Sequence, residues 1–134
     1  MKTIRDFRVG DTFRLERSCD RYRPVYYAAG SGDFNPIHID PEVGRLAGQP
    51  GAILQGMCTM AWLADACLRY FGDPGRIRSL RTRFSWPVNV DDTVTFEGRC
   101  VAVEATLVRV EVSARNQKGE EVLKGALAEA VIPG

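Results

Sequence analysis

Within the stretch SGDFNPIHID, Ser31 to Asp40, the chain holds its single histidine, His38, five residues after Asp33, with an Asn35-Pro36 step between them. A carboxylate and an imidazole on one short segment are the residue types of acid-base chemistry. An imidazole, with an unperturbed pKa of about 6.5, gives and takes protons near neutrality. Regular structure would keep the two apart. On a continuous strand, residues five apart point to opposite faces, and on a continuous helix they sit about 140° apart around the axis. Proline changes this: Pro36 fixes its own φ and pushes Asn35 out of the helical region, so a bent loop can bring Asp33 and His38 to one spot. Gly32, just before the aspartate, permits a backbone angle or a close approach that a side chain would forbid. Asn35 can cap the turn through its own backbone or orient the imidazole by a hydrogen bond. On spacing alone, ordinary turn chemistry around a structural histidine is the better account.

The elements that must position this segment are legible on either side of it. VGDTFRLERSC has strand-like alternation after a Gly-Asp turn. RPVYYAAGSG can begin a short helix near Pro24, to be stopped by Gly30 and Gly32. DPEVGRLAG opens with Asp-Pro and closes on glycine, a second short helix. The strongest helix signal is GMCTMAWLADACLRYFG, where Met57, Met60, Ala61, Ala64, Cys67, Leu68 and Phe71 recur at helical spacing. Trp62, Leu63 and Ala66 widen that stripe over most of the circumference, which predicts a helix buried in the middle of the fold. Asp65 and Arg69 stand four apart, in the order that lets them pair on one exposed edge. Beyond the turn cluster Gly72-Asp73-Pro74-Gly75 the chain becomes rich in β-branched residues. Val108, Val110 and Val112 alternate with Arg109, Glu111 and Ser113 as in a strand with one dry face, and NQKGEE reads as a hairpin connection. The expectation is an α+β fold in one domain, residues 1–134, with antiparallel strands curled around a long central helix.

The totals exclude little else. The 134 residues suffice for one hydrophobic core, and 18 Lys+Arg against 17 Asp+Glu leave a net charge of +1. Bulk charge therefore gives no reason to expect nucleic acid or a membrane surface as partner. No apolar run approaches the roughly 20 residues needed to cross a bilayer, and MKTIRDFRVGDTF does not read as a signal peptide, so a cytoplasmic location is expected. The four cysteines, Cys19, Cys58, Cys67 and Cys100, form no C-x-x-C pair and sit among apolar neighbours. They are expected to be reduced, buried and small, not metal ligands.

YYAAGSGDFNPIHID resembles the signature of the MaoC-like, (R)-specific enoyl-CoA hydratase and 3-hydroxyacyl-thioester dehydratase family of hot-dog proteins. That signature runs small residue, Gly, Asp, any residue, Asn, Pro, aliphatic, His, and Ser31 to His38 fits every defined position. The opening FRVGD, the helix introduced by QGMCTMA and the later RFSWPVNVDDTV follow in the family's order, so the resemblance covers nearly the whole chain. It implies that Asp33 and His38 are the catalytic pair that holds and activates a water. Asn35, with Ser31 before it, falls on motif positions that support that pair. The resemblance also implies that the Gly56 backbone N–H, with Met57 beside it at the start of the central helix, polarises the thioester carbonyl. A helix N-terminus independently suits that task, since its free N–H groups and partial positive charge stabilise a developing oxyanion. Gln55 is a departure, because family members usually carry His before the Gly-Met; Gln keeps a donor and an acceptor but cannot be protonated. VDDT, Val90 to Thr93, departs more mildly from Gly-Asp-Thr.

The activity implied is reversible hydration of a trans-2-enoyl thioester to an (R)-3-hydroxyacyl thioester in fatty acid metabolism, with no metal or redox cofactor. The expected partner is an acyl-CoA or acyl-carrier-protein substrate, in a homodimer or in a heterodimer with a related hot-dog subunit. A hot-dog thioesterase and a non-catalytic acyl-binding subunit are the alternatives. Arg76, Arg78, Arg81 and Arg83 could meet carrier phosphates, although a solvated strand face is the more ordinary reading of such a run.

Overall fold

In the computed structural model, which describes residues 1–134, the expected α+β architecture is present. The chain order is β1 (Thr12–Ser18), α1 (Arg23–Ser31), α2 (Pro36–Ile39), α3 (Pro41–Leu46), α4 (Gly56–Phe71), β2 (Ile77–Phe84), β3 (Thr93–Glu104), β4 (Leu107–Arg115) and β5 (Glu121–Val131). The strands form one sheet in the order β1-β3-β4-β5-β2, antiparallel throughout. β3, β4 and β5 follow one another as hairpins. The predicted NQKGEE connection closes where Asn116 Oδ1 accepts the N–H groups of Lys118 and Glu120, both at 3.0 Å.

α4 touches β1 and β2, the two edges of the sheet, as well as β3 and β4 between them. The sheet thus curls around the helix, which buries Cys58, Thr59, Trp62, Leu63, Ala66, Cys67 and Phe71. Against this stripe lie Val94, Phe96 and Cys100 of β3, Val108, Val110, Val112 and Ala114 of β4, and the alternate inward residues of β5, all in one core cluster. Each fully buried Leu, Phe or Val contributes about 1.5–3 kcal/mol, so this contact dominates the stability of the fold. Gly72, with φ +87°, ends the helix and donates its N–H to Leu68.

Two expectations about the helices need correction. Only Gly32 stops α1; Gly30 lies inside it. The buried stripe of α4 is also rotated from the predicted one. Trp62, Leu63, Ala66, Cys67 and Phe71 are buried as predicted, but Met57 is 57% exposed and Ala61 is exposed, while Met60, Ala64 and Leu68 are half-covered. A helix apolar on two sides offers two stripes of similar strength, and the sheet of this chain covers the one led by Trp62 and Leu63. The Asp65–Arg69 pair forms as predicted at 3.2 Å, and Arg17 of β1 joins the same carboxylate at 2.6 Å.

All four cysteines are free and buried, as expected. Burial pushes the Cys19 and Cys67 thiols from 9.0 up to about 12, and raises that of Cys58 as well. Well below pH 8.5 the thiols are neutral in both folded and unfolded chains. Above it the unfolded chain ionises and the folded one resists, so folding stability must fall as pH rises from about 8.5. We expect urea midpoints to decline between pH 8 and 10. A thiol reagent at pH 8 should label almost no cysteine in the native protein and all four after denaturation.

Candidate active site

The histidine segment is not the continuous bent loop expected; a short link is followed by a single helical turn. α1 ends at Ser31, Gly32 turns the chain with φ +78°, and Asp33 and Phe34 form a short link. Asn35 then caps the single turn of α2, its Oδ1 accepting the Ile37 N–H at 3.2 Å. Of the two roles foreseen for Asn35, capping is the one observed. Pro36 sits at the first helical position, where its missing N–H costs nothing. This turn carries His38 back toward Asp33, leaving His38 Nε2 3.6 Å from Asp33 Oδ2.

The surrounding hydrogen bonds account for most polar atoms of the pair. Asp33 donates its N–H to Ser31 Oγ at 3.1 Å, and Ser31 in turn donates to the Tyr27 carbonyl at 2.7 Å. Asp33 Oδ1 accepts the Asn35 N–H at 3.3 Å, which leaves Oδ2 for the imidazole. His38 Nδ1 lies 2.8 Å from the Ile53 carbonyl. A carbonyl only accepts, so Nδ1 carries the proton and neutral His38 presents a bare Nε2 lone pair. The Ile53 N–H closes the link by donating to the Ile37 carbonyl at 3.1 Å.

Ile53 belongs to the segment that enters α4. It is held by an antiparallel bridge to Asn89, with the Leu54 N–H donating to Val88 O at 2.8 Å. Gly44 of α3 makes room for this segment: a Cβ there would stand 1.8 Å from the Gly51 carbonyl oxygen. α4 then starts at Gly56 with no side-chain cap, so its first N–H groups have no partner within the helix. A Cβ on Gly56 would sit 3.3 Å from the Phe84 ring. His38 and Gly56 line one cavity of about 320 Å³, whose other walls include Ile53, Thr59, Phe84, Trp86 and Val122. The arrangement sets a base lone pair and a helix amide end on one apolar space, with a carboxylate beside the imidazole.

Of the residues singled out by sequence, Asp33, His38, Asn35 and Ser31 converge, and Gly56 shares the cavity with His38. Gln55 is 1% exposed, behind the Asp33 link. Met57 does not join them; it is exposed and lines no part of the cavity. Arg76 is buried and donates to the Lys2 carbonyl at 2.7 Å, so it cannot serve an external phosphate. Arg78, Arg81 and Arg83 lie exposed on the edge strand β2. Sequence reasoning missed the Ile53 carbonyl, a backbone group with no residue signature. It also missed Thr59, Phe84 and Trp86; Thr59 was detectable as the one hydroxyl a turn beyond Gly56.

Comparison with known proteins fits this geometry. A family model described as "MaoC like domain" matches residues 8–122. The chain is 32% identical over 123 residues to a probable enoyl-CoA hydratase 2 from Dictyostelium discoideum, covering 90% of this chain and 40% of that protein. It spans less than half the length of the curated relatives it matches. An R-hydratase from Pseudomonas aeruginosa, solved without ligand, superposes with a TM-score of 0.88 at 26% identity, covering 98% of this chain and 85% of that one. A chain of the ChsH1-ChsH2 complex from Mycobacterium tuberculosis superposes with a TM-score of 0.84 at 27% identity, covering 93% of this chain and 98% of that one.

Because His38 is the only imidazole, its tautomer can be read directly. In nitrogen-detected NMR at alkaline pH, we expect the Nδ1-protonated form to dominate. A dominant Nε2–H form would contradict the Ile53 hydrogen bond.

Proposed function

The chain belongs to the MaoC-like domain family of hot-dog proteins, and we propose that it is an (R)-specific hydratase/dehydratase interconverting trans-2-enoyl and 3-hydroxyacyl thioesters. The observation that carries this reading is the shared border of His38 and Gly56 on one largely apolar cavity, with Asp33 Oδ2 3.6 Å from His38 Nε2. Curated relatives named as enoyl-CoA hydratases support the reaction class and the acyl-CoA substrate.

In the proposed mechanism the substrate's thioester carbonyl sits at the start of α4 and its C3 faces His38. A water between Asp33 and His38 loses a proton to His38 Nε2 as its oxygen bonds to C3. The C2=C3 π electrons move toward the thioester, and the Gly56 N–H stabilises the charge gathering on the carbonyl oxygen. Asp33, still ionised, holds the imidazolium. The proton then passes from Nε2 to C2, the enolate collapses, and the site returns to its starting state with one water added. Dehydration is the same path reversed. Nothing in these steps calls for a metal or redox partner.

The site is open in one chain. Asp33 keeps 48% of its side-chain surface exposed, and Phe34, Met57, Phe84 and Trp86, on the segments bordering the site, are 50–60% exposed. Large apolar groups clustered around a polar site mark a surface meant to be covered, and excluding water strengthens every charge interaction inside. We therefore read the functional unit as a dimer, with a second copy or a related subunit closing the cavity. The two-protein complex among the structural neighbours supports this.

Hydration of crotonyl and octenoyl thioesters, followed as loss of enoyl absorbance, tests the reaction. We expect turnover in the wild type, with Asp33→Asn and His38→Ala each lowering kcat/KM by about 10²–10⁴-fold. Release of free thiol without loss of the enoyl group would identify a thioesterase instead. Light scattering at micromolar concentration should give the mass of two chains. A monomer that stays monomeric when substrate is added would remove the dimer reading.

A further inference from the structure

Gln55 occupies an unusual position for a polar side chain. It precedes the first residue of α4, is 1% exposed, and its side chain caps nothing in its own helix. Its side-chain amide reaches away from α4. Nε2 donates to the Pro24 carbonyl of α1 at 2.8 Å and faces the Asp33 carbonyl at 3.5 Å. Both neighbours are acceptors, so the amide cannot be flipped without setting oxygen against oxygen. The other end of the group, Oε1, is buried with no partner at all.

That combination separates positioning from packing. A buried acceptor without a partner is costly, and an apolar side chain of the same shape would avoid the cost. The Pro24 carbonyl already meets an N–H four residues on by helix geometry, so it does not depend on Gln55. What the amide uniquely supplies is a second N–H on one nitrogen. With it, a single side chain can bind α1 and the Asp33 link at once to the start of α4. A neutral imidazole at this point has only one N–H to offer.

Asp33 is otherwise held at its N–H by Ser31 Oγ and at Oδ1 by the Asn35 N–H, both from its own local chain. Among the hydrogen bonds to Asp33, the one from Gln55 comes from outside its local chain, 22 residues away. Gln55 is also covalently next to Gly56. Any shift of α4's start is therefore transmitted both to the Asp33 carboxylate beside His38 and to the Gly56 amide end that borders the cavity.

We propose that Gln55 is a positioning residue, holding the Asp33 carbonyl so that the carboxylate, His38 and the Gly56 N–H keep their mutual spacing. This rests on the hydratase reading for its kinetic consequence but not for its geometry. A misplacement of the order of 1 Å in such a constellation costs about 10²-fold in rate.

The test compares Gln55→Leu, Gln55→Glu and Gln55→His with the wild type, in the full chain. Gln55→Leu should keep its thermal midpoint within a few degrees while kcat falls roughly 10–100-fold with KM nearly unchanged. Gln55→Glu, which sets a carboxylate against two carbonyls, should lose both activity and stability. Gln55→His, with one N–H to offer, should recover only part of the lost kcat. The sole histidine supplies a second readout. The His38 ring resonances should shift in Gln55→Leu in the direction seen in Asp33→Asn. If the wild type turns over no enoyl thioester, the hydratase reading fails while this NMR comparison still decides the role of Gln55. Wild-type kcat together with unshifted His38 resonances in Gln55→Leu would overturn the proposal, as would a kcat loss matched by a collapse of the thermal midpoint.

Discussion

Two hydrogen bonds exchanged between α2 and the segment entering α4 hold the site together: Ile53 N–H to Ile37 O, and His38 Nδ1–H to Ile53 O. Without them α2 is a single turn of helix, too short to be stable by itself. With them the imidazole is fixed in both tautomer and direction by the same stretch of backbone that sets where the long helix begins. The distance from the base to the helix amide end is then a property of one short link and not of two independent loops. Gly44 contributes by letting α3 approach the Gly51 carbonyl closely enough for that link to pass.

The link is in turn rigid because α4 is anchored by its buried stripe. Trp62, Leu63, Cys67 and Phe71 pack into the sheet's inner face, and a close-packed core does not deform continuously. The helix end is thereby a fixed donor, which is what electrostatic stabilisation of a developing charge requires. The same packing leaves the Met57 and Ala61 side uncovered. One chain thus leaves that apolar side of the first turns of α4 exposed.

The carboxylate is held differently from the imidazole. Local contacts from Ser31 and Asn35 orient the Asp33 link, and the one long-range contact to its backbone comes from a buried amide. The acid side of the pair is consequently the more adjustable one, while the base is locked by backbone pairing. The Asn35-Pro36 step separates the two regimes, since it ends the link and starts the turn that carries His38.

Much of this was legible in the residues. Gly56 and Gly72 mark the ends of α4, the alternation of Val108, Val110 and Val112 marks a one-sided strand, and the Asp65–Arg69 spacing gives a pair that forms. That Asp33 and His38 could meet was also visible, because the Asn35-Pro36 step bends the chain between them, and the structure leaves them 3.6 Å apart. What the order of residues could not decide was which of two apolar stripes on α4 faces the sheet. Both have helical period, and only the inward side chains of β3, β4 and β5 select between them. Nor could it point to the Ile53 carbonyl, the fate of Arg76 or the walls made by Phe84 and Trp86. A backbone acceptor looks the same at every position, and pairings across tens of residues exist only once the sheet has closed around the helix. Residue type determined the candidate groups in advance; tertiary packing decided their partners, because partners are set by distance in space and not along the chain.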